Sequence, residues 1–152
     1  MKYADLHIHS CYSDGTMTPE EIICLSRKKG VKCISITDHD SIASQYVTKS
    51  TWEDVKIISG IELSTEFKDL EVHILGYNLD IENEKLKEVV SKLNRCRIDR
   101  IEEMLFNLKK YEIYLELEDL AIDLESTPGR SHVANAMVSK GYFENYKSAF
   151  TS

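Results

Sequence analysis

Positive charge is scarce in this sequence, and no stretch of it is long and apolar. Lys and Arg number 19 against 26 Asp and Glu, a formal net charge of −7. That balance argues against duplex DNA or a membrane surface as a partner, because both call for a basic face. An anionic substrate is not excluded, since bound cations reverse the local field in a cleft. No apolar segment is long enough to span a bilayer, and the opening residues 1–10 lack the basic start and apolar run of a signal peptide. The resulting expectation is a cytoplasmic location. Cysteine is sparse too. Cys11, Cys24, Cys33 and Cys96 show no Cys-x-x-Cys or other zinc-finger spacing and are read as structural or incidental, with Cys11 set apart by its place beside a histidine cluster. There is no internal repeat and no low-complexity tract. What is present, 152 residues of which 42% are hydrophobic, suits one soluble domain or a piece of a larger one.

Tyr3 to His9 alternates as a short strand does, with Asp5, His7 and His9 on one face and Leu6 and Ile8 on the other. A loop through Ser13-Asp14-Gly15 leads into a helix that Thr18 caps, with Pro19 in its first turn and Glu21 completing a capping box. Lys28 and Lys29 suit its end, and Gly30 the left-handed position beyond it. Val31 to Ile36 reads as a second strand and Val55 to Ile58, closed by Gly60-Ile61-Glu62, as a third. Residues 41–54 between them are less regular and contain some helix. Leu70 to Tyr77 reads as a fourth strand. Strand, helix, strand in this order predicts parallel β/α units. From Ile81 to Lys110 a helical stripe runs through Leu86, Val89, Val90, Leu93, Ile101, Met104, Leu105 and Leu108. Shorter helices are predicted at 117–124, 131–140 and 143–149. The chain therefore divides into a β/α portion, 1–78, and a helical portion, 79–152.

Four of the five histidines, His7, His9, His39 and His73, fall at or just after predicted strand ends, where parallel β/α architectures carry their sites. An i, i+2 pair on a strand points both imidazoles the same way, so His7 and His9 can chelate one ion. Asp14, His39, Glu62 and His73 offer further ligands if the strands are neighbours. Mixed imidazole and carboxylate suits zinc, manganese or iron better than calcium. Each residue alone has an ordinary role: Asp14 as a turn former, His39 at the start of a helix, His73 as a hydrogen-bonded core residue, Glu62 on the surface. Their recurrence over four successive strands favours a metal site.

In order, Asp5-Leu6-His7-Ile8-His9-Ser10, Ser13-Asp14-Gly15, Ile36-Thr37-Asp38-His39-Asp40, Gly60-Ile61-Glu62 and Val72-His73-Ile74-Leu75-Gly76-Tyr77 resemble the PHP (polymerase and histidinol phosphatase) family. Arg95, Arg97 and Arg100, then Gly129-Arg130-Ser131-His132, are similar to a subgroup that hydrolyses nucleoside 3′,5′-bisphosphates or trims short RNA from its 5′ end and carries a helical insertion here. The resemblance implies α/β architecture: the N-terminal part of a distorted, TIM-like β/α barrel, a helical insertion, and up to three divalent ions (Mn, Zn or Fe, with Mg possible). It implies that His7 and His9 hold one ion, that Glu62 bridges to a second bound also by His73, and that Asp14 and His39 belong to a third. Arg130 and His132 fall where the subgroup contacts substrate phosphate. The implied activity is phosphoester hydrolysis of a nucleotide or short RNA by a metal-bound hydroxide, with His39 or Asp14 protonating the leaving oxygen. The family's later His-Pro and Asp-x-His ligand segments are absent, and Ser131 stands where proline is usual. A truncated chain is therefore expected, and four strands cannot close a barrel. Three alternatives stay open: a metal-binding fragment or interaction domain with little turnover, a histidinol-phosphate phosphatase, and a polymerase-type exonuclease. An open sheet edge allows a homo-oligomer.

Overall fold

The computed structural model describes residues 3–49, 52, 54–68, 70–122 and 126–151. Its first units follow local signals closely. Strand β1 (Ala4–Ile8) leads into helix α1 (Pro19–Lys28), where Thr18 accepts a hydrogen bond from the Glu21 N–H and the Glu21 side chain accepts one from the Thr18 N–H. Gly30 leaves the helix at φ +69°, a conformation that glycine adopts without a Cβ penalty. Strand β2 (Cys33–Ile36) returns parallel to β1, and after the short helix α2 (Ala43–Thr48) strand β3 (Lys56–Ile57) pairs parallel to β2.

The third and fourth strand regions depart from the parallel expectation. After a break at Ile58-Ser59 the chain resumes as β4 (Gly60–Phe67), which turns at Lys68 and comes back antiparallel as β5 (Leu70–Tyr77). A parallel bridge from His39 to Glu62 sets β4 beside the segment that follows β2. Gly60 allows this crossing: a Cβ there would stand 2.2 Å from Ser35 Oγ and 2.8 Å from Thr37 Cγ2. The sheets are therefore β1-β2-β3, all parallel, and an antiparallel β4-β5 hairpin.

Helix α3 (Glu84–Leu108) is capped by the Asn83 side chain, which accepts from the Lys85 and Leu86 N–H groups. Its first half contributes Val90 to a cluster with Ile42 and Ile61, and its second half contributes Ile101 and Leu105 to a helical cluster with Leu115, Leu120, Val133 and Met137. Val89 of the predicted stripe stands exposed. Helices α4 (Arg130–Ser139) and α5 (Tyr146–Thr151) complete the second half, α5 beginning later than predicted. The helix expected at 117–124 is a 3₁₀ turn over Leu117–Leu120, and Leu124 lies outside the described residues. A third cluster (Ile22, Ile23, Val31, Ile34, Ile36 and Val55) binds α1 to the parallel sheet. No described helix is long and apolar enough to cross a membrane. None of the four cysteines forms a disulfide.

Candidate metal centre

Three backbone links bring the predicted ligands together. Thr37 N–H donates to the Ile8 carbonyl at 2.7 Å, extending the β1–β2 ladder to the loops that follow. Glu62 N–H donates to the Asp38 carbonyl and Asp40 N–H to the Glu62 carbonyl, locking β4 beside His39. In the hairpin register Ser64 opposes His73, so His73 lies on the same side as Glu62, diagonally across the ladder. Only His9 and His39 follow strand ends. His7 lies within β1, and Glu62 and His73 lie within the antiparallel β4–β5 hairpin, a correction to the strand-end expectation.

The six side chains converge. Glu62, whose side chain is 6% exposed, places Oε2 2.8 Å from His7 Nε2, 3.0 Å from His9 Nε2 and 3.7 Å from His39 Nδ1, while Oε1 lies 2.9 Å from His73 Nδ1. Asp14 stands 3.1 Å from His9 Nδ1 and 3.9 Å from His39 Nε2. Three groups with metal-ligand spacing result: His7-His9-Glu62, His9-Asp14-His39 and His39-Glu62-His73. His9, His39 and Glu62 each belong to two of them.

Charge follows geometry. The hydrogen bond from His9 holds the Asp14 carboxyl down at about 2, and the same contact raises the His9 imidazole above its usual range against the effect of burial. Burial pushes His39 down, against the pull of Asp14 and Glu62. At Glu62 burial works upward, but the hydrogen bonds of His7 and His73 and the charge of His39 outweigh it, and the net shift is downward.

His39 tests whether these residues suit a cation. Its Nδ1 is buried without a hydrogen-bond partner, and its distances of 3.7 and 3.9 Å to the two carboxylates are too long for hydrogen bonds. Two N or O ligands on one tetrahedral cation, each about 2.0–2.1 Å from it, lie roughly 3.4 Å apart. The donor set fits a divalent cation.

Beside the centre opens a cleft lined by Asp14, His39, Glu71, His73, Arg97, Arg100, Gly129, Arg130, Tyr146 and Phe150, among others. Arg130 reaches it, 3.5 Å from Glu71. His132 does not line it. Its Nδ1 instead accepts a hydrogen bond from the Gly129 N–H at 3.1 Å and so caps its own helix, and burial lowers its pKa.

Three carboxylates that the sequence reading assigned no role support the site. Asp38, fully buried, accepts from Ser10 N–H, Ser10 Oγ and Ser13 Oγ, each at 2.7 Å, and so fixes the loop that carries Asp14. Asp40, also fully buried and at φ +48°, accepts from Ser64 N–H and from Arg97 Nε. Glu71 bonds to His73 Nε2 at 3.4 Å and to Arg100 at 3.3 Å. The i, i+2 spacing of Glu71 and His73 was a readable sign of a shared face. The two aspartates had no such sign, because their partners are distant in sequence.

Comparison with known proteins gives this geometry a lineage. The family model for the PHP domain matches residues 5–151. The chain belongs to the PHP domain family. All six convergent candidate ligands and the cleft arginines lie inside the matched PHP segment. The chain is similar to a 5′-3′ exoribonuclease of Haemophilus influenzae, at 29% identity over 98% of this chain and 55% of the relative. It is also similar to a 3′,5′-nucleoside bisphosphate phosphatase of Chromobacterium violaceum, at 26% identity over 99% of this chain and 54% of the relative. Among solved structures, the same fold recurs in a candidate metal-dependent phosphoesterase of Bifidobacterium adolescentis. That match has a TM-score of 0.90 at 27% identity and covers 99% of this chain and 55% of the other. This PHP chain thus spans about half the length of the relatives it matches.

Proposed function

We propose that this chain carries the metal-binding portion of a phosphoesterase that hydrolyses a phosphate ester of a nucleotide or short RNA. The observation that carries the reading is the buried, unpartnered His39 Nδ1 facing Glu62 at 3.7 Å within three overlapping ligand groups. Divalent cations held there (zinc, manganese or iron, with magnesium possible) supply a water of lowered pKa and neutralise charge on the phosphoryl oxygens. The protein's own part is positional. Arg100 and Arg130 line the cleft and offer planar donor forks to a phosphate, while Arg97, also in its lining, is engaged by Asp40, Ser64 and Pro128. Glu71 now holds Arg100 and Arg130, so an arriving phosphate takes its place on them. With a carboxyl held down at about 2, Asp14 is ionised at neutral pH, and burial keeps His39 neutral. Both are in the state that ligation requires.

The same proposal divides the chain at about residue 78. Residues 1–78 form the metal-bearing part of a distorted β/α barrel, and residues 79–152 are a helical insertion that closes over the cleft. Support comes from the separate apolar cluster of the helical half and from Leu70, Val72 and Ile74, which leave one face of β5 exposed where further barrel would pack.

A second reading follows from the half-length match to relatives: this chain binds metal, and turnover needs residues from outside it. One experiment separates the two. The chain is stripped with a chelator, titrated with Mn²⁺ or Zn²⁺ while bound metal is counted, and assayed on a nucleoside 3′,5′-bisphosphate, a short 5′-phosphorylated RNA and histidinol phosphate. Metal uptake with hydrolysis of the first two supports the enzyme reading, and uptake without hydrolysis supports the second. Full-rate hydrolysis by the stripped protein would overturn both.

A further inference from the structure

Arginines and candidate metal ligands supply much of the polar lining of the cleft, yet part of its wall is aromatic. Tyr146 and Phe150, one turn apart on α5, stack with ring centroids 5.4 Å apart and planes at 23°, and both line the cleft. They are 42% and 45% exposed. Such half-exposed stacked rings gain little from each other in water, and they contribute nothing to the grip on a phosphate. A run of contacts ties them to the metal centre. The Arg130 guanidinium lies 5.7 Å from the Phe150 ring centroid and 3.5 Å from Glu71, which bonds to His73, itself 2.9 Å from Glu62. Tyr146 lies close enough to the centre to sense it: burial and then the Asp14 carboxylate raise its hydroxyl pKa, while Arg130 opposes them.

We propose that the Tyr146–Phe150 face is a nucleobase platform, on which the base of a nucleotide stacks while its phosphate is held by Arg130 and Arg100 beside the metal centre. This rests on the phosphoesterase reading above and adds what that reading lacks, a physical reason to prefer nucleotides over other phosphate esters. Every base presents a π-face, so stacking is strong and tolerant of base identity. Arg130, already over the Phe150 ring, would flank the stacked base with a planar cation. The site is thus expected to select for a base without reading which one it is.

The test compares binding of AMP and of ribose 5-phosphate to the 152-residue chain in Mn²⁺, by calorimetry. The two ligands share sugar and phosphate and differ in the base. AMP should bind about tenfold or more tightly, the scale of a single stacked base. The ratio should fall towards one in Tyr146→Leu/Phe150→Leu, which keeps apolar bulk and removes the π-faces. Tyr146→Phe/Phe150→Tyr should retain the ratio, so that misfolding is not mistaken for a lost platform. Equal binding of the two ligands by the unaltered chain would overturn the platform and leave the phosphate site standing. A large ratio that survives the leucine pair would place the base elsewhere and also overturn it. Failure of both ligands to bind would sink the phosphoesterase reading, and the platform with it.

Discussion

Arg97 joins the two halves of the molecule, and its removal has a calculable cost. Its guanidinium contacts Asp40 through Nε, Ser64 Oγ at 2.6 Å through Nη2 and the Pro128 carbonyl at 3.3 Å through Nη1. The Asp40 side chain is 0% exposed and that of Arg97 19%, so water screens this pair poorly. Arg97→Leu leaves the Asp40 carboxylate buried with the Ser64 N–H as its remaining partner. Breaking a buried pair in this way costs about 3–5 kcal/mol, a large part of the roughly 5–15 kcal/mol that stabilises a domain. Asp40→Asn removes the charge but keeps an acceptor, and costs about 1.5–3 kcal/mol as a lost charged hydrogen bond. In the double variant no charge is stranded, so the combined loss should fall short of the sum by about 2 kcal/mol. Urea unfolding reads all three. With a slope of about 2 kcal/mol per molar urea, Arg97→Leu should lower the midpoint by about 1.5–2.5 M. If the two single losses add in the double variant to within about 0.5 kcal/mol, Asp40 and Arg97 act independently and are not a coupled buried pair.

Glu62 faces four imidazoles, so Glu62→Gln should weaken Mn²⁺ binding more than about 100-fold, beyond the usual effect of losing a ligand's supporting partner; an unchanged dissociation constant and stoichiometry would exclude a ligand role. At Gly15 an added Cβ would stand 2.3 Å from the His9 carbonyl oxygen. Gly15→Ala should therefore shift the Asp14 loop, cost about 1–3 kcal/mol and weaken metal uptake, whereas normal uptake would mean the loop yields freely. In metal-free protein the Asp14–His9 pair should limit stability at both ends of the pH scale. The Asp14 pKa is depressed, so its contribution is complete above about 3.8 and lost as pH falls through about 2. The His9 pKa is raised, so its contribution is complete below 6.5 and lost as pH rises through the higher value. Adding Mn²⁺ should reverse the upper limb, because a cation competes with the imidazole proton. Melting temperature against pH, with chelator and with metal, checks both limbs; the same alkaline fall with metal bound would refute ligation by His9.

Local features were read well where neighbours in sequence determine them. The Thr18–Glu21 capping box, the exit at Gly30 and the long α3 depend on residues a few positions apart. The β4–β5 hairpin departs from the parallel expectation although its strands alternate, with Ile61, Leu63 and Phe67 set against Glu62, Ser64 and Glu66, and Leu70, Val72 and Ile74 against Glu71 and His73, the pattern of half-exposed antiparallel pairing. The break at Ile58-Ser59, which separates Glu62 from the end of β3, gives no periodic signal.

Residue types alone determined that a histidine and carboxylate cluster was possible, and their motifs named the family. Tertiary structure decided how those residues meet. Glu62 touches His7 across 55 positions of chain and His73 across 11, and only strand register can bring such pairs within 3 Å. It also decided that His132 caps a helix, that Asp40 anchors Arg97, and that two aromatics line the same cleft as the candidate ligands Asp14, His39 and His73. The physical reason is range. Caps and helical stripes are set by interactions within a turn or two, while a metal centre is set by the packing of elements that the sequence leaves far apart.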